Sequence, residues 1–186
     1  MIILLVDMVV VFGLMLLAAA MLGSTFGDAP FVPTGRSSMR RIMRVAAIAP
    51  GEVFFDLGAG DGRFVRAAAN AGATAYGFER VRILVLWSRF MIWLQRLSGK
   101  AFMRRQNIFD ADLRAADVVY TYLFPNAMAK LEDKALRELK PGARIVSRAF
   151  RFPNWKPEAV HQLGKYSPPV YVYRKTVEVA QESFLA

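Results

Sequence analysis

The chain predicts an α/β domain: a mostly parallel sheet wound on itself, closed by one antiparallel strand and preceded by one apolar N-terminal helix. Three observations carry that expectation. Val53-Phe54-Phe55 is an apolar run that suits a strand covered on both faces, and Gly58, Gly60 and Gly62 follow it. Thr74 to Glu79 is a second such run, placed after enough chain for one helix, as a parallel strand pair requires. Residues Ile2 to Leu22 are almost continuously apolar, broken only by Asp7 and Gly13.

At 1.5 Å per residue, a helix over that first run would extend roughly 31 Å, the thickness of a bilayer's hydrocarbon core. Its lack of a polar stripe argues against a buried helix of a soluble protein. Ala18-Ala19-Ala20 resembles a signal cleavage site, yet no positive charge precedes the run. The positive charges follow it, at Arg36, Arg40, Arg41 and Arg44. This order predicts an uncleaved single-pass anchor in the inner (cytoplasmic) membrane, with the following domain in the cytoplasm. The expected organisation is a span over 1–22, a Gly/Pro/Ser/Thr-rich linker over 23–37 and a folded domain over 38–186, with Ser37 or Ser38 capping its first helix.

With 186 residues, 55% of them hydrophobic, the chain can build one good core. The absence of cysteine excludes disulfides, thiolate metal sites and cysteine nucleophiles. One histidine, His161, leaves little scope for a metal cluster, and no metal is expected. The net charge of +10 calls for an anionic partner or surface, but the basic residues are scattered without a nucleic-acid fold signature. The first basic cluster can also grip anionic headgroups beside the apolar helix, and nucleic acid is not an expected partner.

The glycine turn bears the chemistry. A dinucleotide fingerprint is G-x-G-x-x-G. Asp56-Leu57-Gly58-Ala59-Gly60-Asp61-Gly62 instead spaces its glycines by two, and Arg63 stands where the last dinucleotide glycine would be. Glycines there let the backbone turn sharply and approach a ligand. Glu79, about twenty residues on, closes the second strand beside the turn, where a carboxylate can accept from two ribose hydroxyls. Arg82 to Leu97 has helical apolar spacing, so Trp87, Phe90 and Trp93 read as core more readily than as a substrate cage. Ala101 to Arg105 is a third strand, followed by Asn107. Ala116 to Leu123 is a fourth, whose end lies at the switch point of a doubly wound sheet. Tyr122, Phe124 and Pro125 therefore are candidates for the rim around a reacting group, although Tyr120 and Tyr122 also suit packing under helices. Met128 to Leu139 is a helix stopped by Lys140-Pro141-Gly142, Arg144 to Arg148 a fifth strand, and Val170 to Arg174 a closing hairpin strand.

The D-x-G-x-G-x-G turn with its downstream acid resembles motif I of the class I S-adenosylmethionine (SAM) methyltransferases, whose sheet is Rossmann-like. A longer series is similar to one group among them, the small membrane-anchored protein-lysine methyltransferases. They are relatives of the mitochondrial enzymes acting on the ATP synthase c-subunit and the adenine nucleotide translocase. The series comprises Phe31-Val32-Pro33-Thr34, the turn through Arg63, Glu79, Trp87-Ser88-Arg89, Tyr122-Leu123, Leu139 through Arg144 and Phe152-Pro153-Asn154-Trp155.

The resemblance implies SAM as cofactor, held by Asp56, Gly58, Ala59, Gly60, Glu79 and Asn107. It implies a protein lysine as acceptor, with Tyr122 at the transfer and Phe124, Pro125 and Trp155 lining the substrate side. The substrate is expected among membrane-associated proteins. Asn107 departs from these relatives, which carry an aspartate there; an asparagine carbonyl can accept the same bond from an adenine amine without the charge. Two other readings fit the same residues: a methyltransferase for a lipid or lipid-soluble small molecule, and a non-catalytic SAM-binding assembly factor. A lipid acceptor predicts an apolar tunnel to the methyl, and a protein acceptor an open groove near Tyr122 and Trp155.

Overall fold

The computed structural model describes Val11 and residues 34–176. The chain divides into two compact units, Met1–Pro33 and Thr34–Ala186. The expected span over 1–22, Val11 apart, and the linker through Pro33 lie outside the described residues. Among the described residues no helix is long and apolar enough to cross a membrane.

The second unit is a seven-stranded sheet. Its elements run α1 (Arg36–Ala46), β1 (Val53–Leu57), α2 (Arg63–Asn70), β2 (Thr74–Glu79), α3 (Arg82–Leu94), β3 (Ala101–Arg105), a 3-10 turn (Ile108–Asp110), β4 (Val118–Thr121), α4 (Pro125–Glu138), β5 (Arg144–Arg148), β6 (Ala159–His161) and β7 (Val170–Arg174). The strand order is β3-β2-β1-β4-β5-β7-β6. The first five strands are parallel; β7 runs antiparallel to β5, and β6 antiparallel to β7. Successive strands add outward from β1 through β2 to β3, and then on its other side through β4 to β5. The winding therefore reverses between β1 and β4, which makes their carboxyl ends the switch point where such sheets bind ligands.

Two cores cover the two faces. One joins α1, α2 and α3 to the sheet through Ile42, Phe64, Val65, Val85, Ile92 and Met103. The other joins α4 and the 3-10 turn through Phe55, Phe78, Ile108, Met128 and Leu131. Phe54 and Phe55, adjacent in β1, point to opposite cores, so the unbroken apolar run of that strand is what burial on both faces demands.

Several features differ from the sequence expectation for identifiable reasons. Helix α1 starts at Arg36 with Gly35 as N-cap and no side-chain cap, so Ser37 and Ser38 lie in its first turn. Thr34, just before it, is buried and held by Arg63 and Arg148, and these distant contacts set the helix start in place of a local cap. Helix α3 ends at Leu94, short of Leu97: Arg96 turns left-handed at φ 57° and Leu97 N–H reaches back to the Ile92 carbonyl at 3.0 Å, a Schellman closure. Phe90 and Trp93 of α3, expected in the core, are exposed, because the sheet covers the helix on its other side. Helix α4 begins at Pro125, earlier than Met128, because proline suits the first helical position, where no N–H is needed. Strand β4 is shorter than the apolar run around it.

Candidate functional site

Strand β1 delivers Asp56 to the carboxyl edge, and the chain then turns through Gly58, Gly60 and Gly62, all left-handed at φ 90°, 52° and 70°. Two N–H groups of this turn, from Gly58 and Ala59, each donate to the Phe78 carbonyl at 3.0 Å, which locks the turn against the end of β2. The next residue of β2 is Glu79. Its carboxylate accepts from Gly60 N–H at 3.0 Å and from Val81 N–H at 2.9 Å, one bond to each oxygen. Each oxygen keeps a lone pair, so Glu79 is held in place and still able to accept from a neighbouring diol.

The third glycine has a different role from the first two. A Cβ on Gly62 would lie 1.8 Å from Ser88 Oγ, so this position keeps α2 and α3 in close contact. Gly77, which belongs to no motif, is of the same kind: its Cβ would meet Met103 Sδ at 2.4 Å, Val65 Cγ2 at 2.7 Å and Ala59 Cβ at 2.8 Å. Its place in the middle of a strand is the available sequence signal.

Asp56 is 2% exposed, and its Oδ2 has no hydrogen-bond partner. Burial, and then the negative charges of Asp61 and Glu79, push its carboxyl well above the usual carboxylate range. Tyr120 sits opposite it in the β1–β4 register and is likewise buried. Its ring stacks on Phe64 at 4.1 Å, and its hydroxyl lies beside the Thr34 side chain without a well-aligned hydrogen bond. A buried carboxylate oxygen without a protein partner at the switch point suits a ligand that donates to it and carries positive charge. The amino-acid end of SAM is such a group, and Glu79 suits its ribose. Next to them, Asp61 receives Arg63 in a two-pronged pair, with Arg63 Nη2 2.7 Å from Asp61 Oδ2. Arg63 also donates to the Thr34 carbonyl, and Arg148 to the Thr34 hydroxyl.

Asn107 follows β3 at the same edge, where Gln106 N–H donates to the Glu79 carbonyl at 3.1 Å. Its side-chain carbonyl caps the 3-10 turn, accepting from Phe109 N–H at 3.2 Å, which leaves one lone pair for another donor. Beyond β4, Tyr122 is half-buried, with the Arg148 guanidinium 5.0 Å above its ring. Phe150 packs against both Tyr122 and Phe124, at 6.4 and 5.7 Å between centroids. Tyr122, Phe124, Phe150 and Arg148 therefore form one group at this edge, in which no sequence motif marks Phe150 and Arg148. Pro125 starts α4 on the exposed side of this group.

Trp155 does not join it. Its ring lies in the core, 5.7 Å from Phe152 and 5.5 Å from Tyr173, and its expected place on a substrate groove is corrected to a packing role. The cause is Glu132 of α4, a buried carboxylate that accepts from the N–H groups of Asn154 and Trp155 and draws this loop inward. Among the described residues no three His, Asp or Glu side chains group as a metal site would need.

Comparison with known proteins agrees with this geometry. Residues 56–159 match the model of the ANTKMT methyltransferase domain family. The chain belongs to that family. It is 32% identical to a protein-lysine N-methyltransferase of Saccharolobus islandicus over 152 residues, covering 77% of this chain and 92% of that one. It is 33% identical to the human lysine N-methyltransferase for the ATP synthase c-subunit over 144 residues, covering 77% of this chain but 60% of the human protein. A solved RNA methyltransferase from Salinibacter ruber, in complex with S-adenosyl-L-homocysteine, superposes with a TM-score of 0.74 at 31% identity, covering 78% of this chain and 95% of that chain. This family member is a methyltransferase, and its cofactor is SAM.

Proposed function

We propose that the chain transfers methyl groups from SAM to lysine side chains of membrane-associated proteins, held at the membrane by residues 2–22 with its catalytic domain in the cytoplasm. The observation that carries the transfer is the pair of unsatisfied buried groups, Asp56 and Tyr120, beside the glycine turn held by Glu79. Bound SAM supplies a methyl on a sulfonium, an electrophile that a neutral amine can attack in line. Asp56, Gly58, Ala59, Gly60, Glu79 and Asn107 hold and orient it, so the protein's contribution is alignment.

The acceptor amine must be neutral. Tyr122, Phe124 and Phe150 offer a poorly hydrated rim, and the Arg148 cation beside them disfavours a second positive charge. Both effects lower a lysine's pKa, which removes the need for a histidine or carboxylate base; solvent takes the proton. The Saccharolobus and human relatives, both named for lysine methylation, support the same acceptor. Support for the anchor is the unbroken apolar run followed by Arg36, Arg40, Arg41 and Arg44.

RNA is the second reading, favoured by the Salinibacter neighbour and the net charge of +10. The test is incubation of the detergent-solubilised chain with radiolabelled SAM and membranes and RNA of its source cell, followed by separation of protein, lipid and RNA. Label on a protein band, lost in Asp56→Ala and mapped to lysine by mass spectrometry, is the expected result. Label confined to lipid or to RNA would replace the acceptor.

A further inference from the structure

Helix α3 is apolar on both sides. Leu84, Val85, Ser88 and Ile92 face the sheet and are buried. The opposite side exposes Ile83, Leu86, Phe90, Trp93 and Leu94, with Trp93 66% and Leu94 56% accessible. These five recur at spacings of three, four, three and one, so they form one stripe along the helix. The rings of Phe90 and Trp93 lie 6.0 Å apart along it. A contiguous stripe of this kind marks an interaction surface.

Charge identifies the partner. From Val81 to Gln106 there is no acidic residue, whereas Arg82, Arg89, Arg96, Lys100, Arg104 and Arg105 are basic. Arg82 lies on one flank of the stripe. Arg89, two turns on, lies on the same flank with its guanidinium donating to the Met103 carbonyl. Arg96 follows just past the helix end, so Arg82 and Arg96 lead this arginine row. Helix α1 packs on the same face of the sheet, and its exposed Arg36, Arg40 and Arg44 look outward on that side. We infer that this side of the domain, led by the α3 stripe, docks on a bilayer containing anionic phospholipid. The apolar chains enter the acyl boundary, Trp93 sits at the headgroup level, and the arginines meet phosphates.

The other occupants fit less well. Residues 2–22 carry no cation-pairing group except Asp7, so they would leave the arginine row unanswered. A second copy would set one arginine row against another. An RNA strand would use the arginines but has no partner for Ile83, Leu86 and Leu94. The docking surface does not depend on which acceptor is methylated.

The full chain reconstituted in vesicles tests it, with the emission of Trp93 isolated as the difference between the wild type and Trp93→Phe. S-adenosylhomocysteine binding serves as the check that each variant is folded. In vesicles of phosphatidylcholine with phosphatidylglycerol, the Trp93 emission should shift to the blue and be lost to brominated acyl chains. Replacing Arg82 and Arg96 with Ala should lower the docked fraction, at about fivefold in the docked-to-free ratio for each charge. An emission indifferent to lipid overturns the inference, whether it starts exposed or already shifted by residues 2–22 or a second copy. So does an equal response in phosphatidylcholine alone, or a response displaced by polyuridylate.

Discussion

Asp56 and Tyr120 stand side by side in the β1–β4 register, both buried and both with a polar atom that no protein group satisfies. In the free protein this is a stability defect, and in the complex it becomes a binding site. Asp56→Asn should separate the two roles. Because the folded-state pKa of Asp56 is raised, its favourable contribution is complete below the ordinary carboxylate range and is lost as pH climbs through the raised value. The neutral amide escapes that loss. Thermal unfolding at neutral pH should show the variant more stable by about 1–3 kcal/mol, while calorimetry should show SAM binding reduced by at least about tenfold. A variant that is less stable and still binds would separate Asp56 from the cofactor.

The same linkage makes cofactor affinity depend on pH. The cationic end of SAM favours the ionised carboxylate, so binding expels the Asp56 proton below the raised pKa. Affinity should therefore rise with pH up to that value and level off above it. Calorimetry in buffers of different ionisation enthalpy would register the released proton; a flat profile with no proton release would contradict the assignment.

Gly62→Ala tests the contact between α2 and α3. The added methyl meets Ser88 at 1.8 Å in a left-handed backbone, so a loss of about 2–4 kcal/mol is expected in chemical denaturation. Adding Ser88→Ala should recover the part due to the hydroxyl clash and leave the part due to the backbone, roughly 1 kcal/mol. No recovery would mean that the contact is not what requires glycine.

Arg148→Gln bears on the acceptor. With the guanidinium gone from beside Tyr122, a lysine amine there should hold its proton more tightly. The pH–rate profile should shift to higher pH, with activity at neutral pH falling about tenfold and recovering at alkaline pH. A profile lowered equally at every pH would assign Arg148 to the Thr34 clamp alone.

What is legible in the sequence is local. The strand run at Val53, the glycine turn and Glu79 lie within one β-α-β unit, so their spacing fixes their meeting point. Trp155 and Gly62 are not legible in the same way. The place of Trp155 depends on Glu132, which is 23 residues away, and that of Gly62 on Ser88 in another helix. Tyr120 looks like any strand residue of period two, and only the β1–β4 register sets it opposite Asp56. The exposed side of α3 escapes a sequence reading for a related reason. Helical spacing shows that apolar residues share a face, but not which of two apolar faces the sheet will cover.

The clamp on Thr34 bears on reach. The chain comes into the domain at the working edge of the sheet, where Arg63 and Arg148 hold its first residue. A tether tied there sets how far the reacting methyl can travel from whatever holds the preceding chain. With the anchor proposed above, acceptors would be sorted by their height above the membrane before any side chain is recognised.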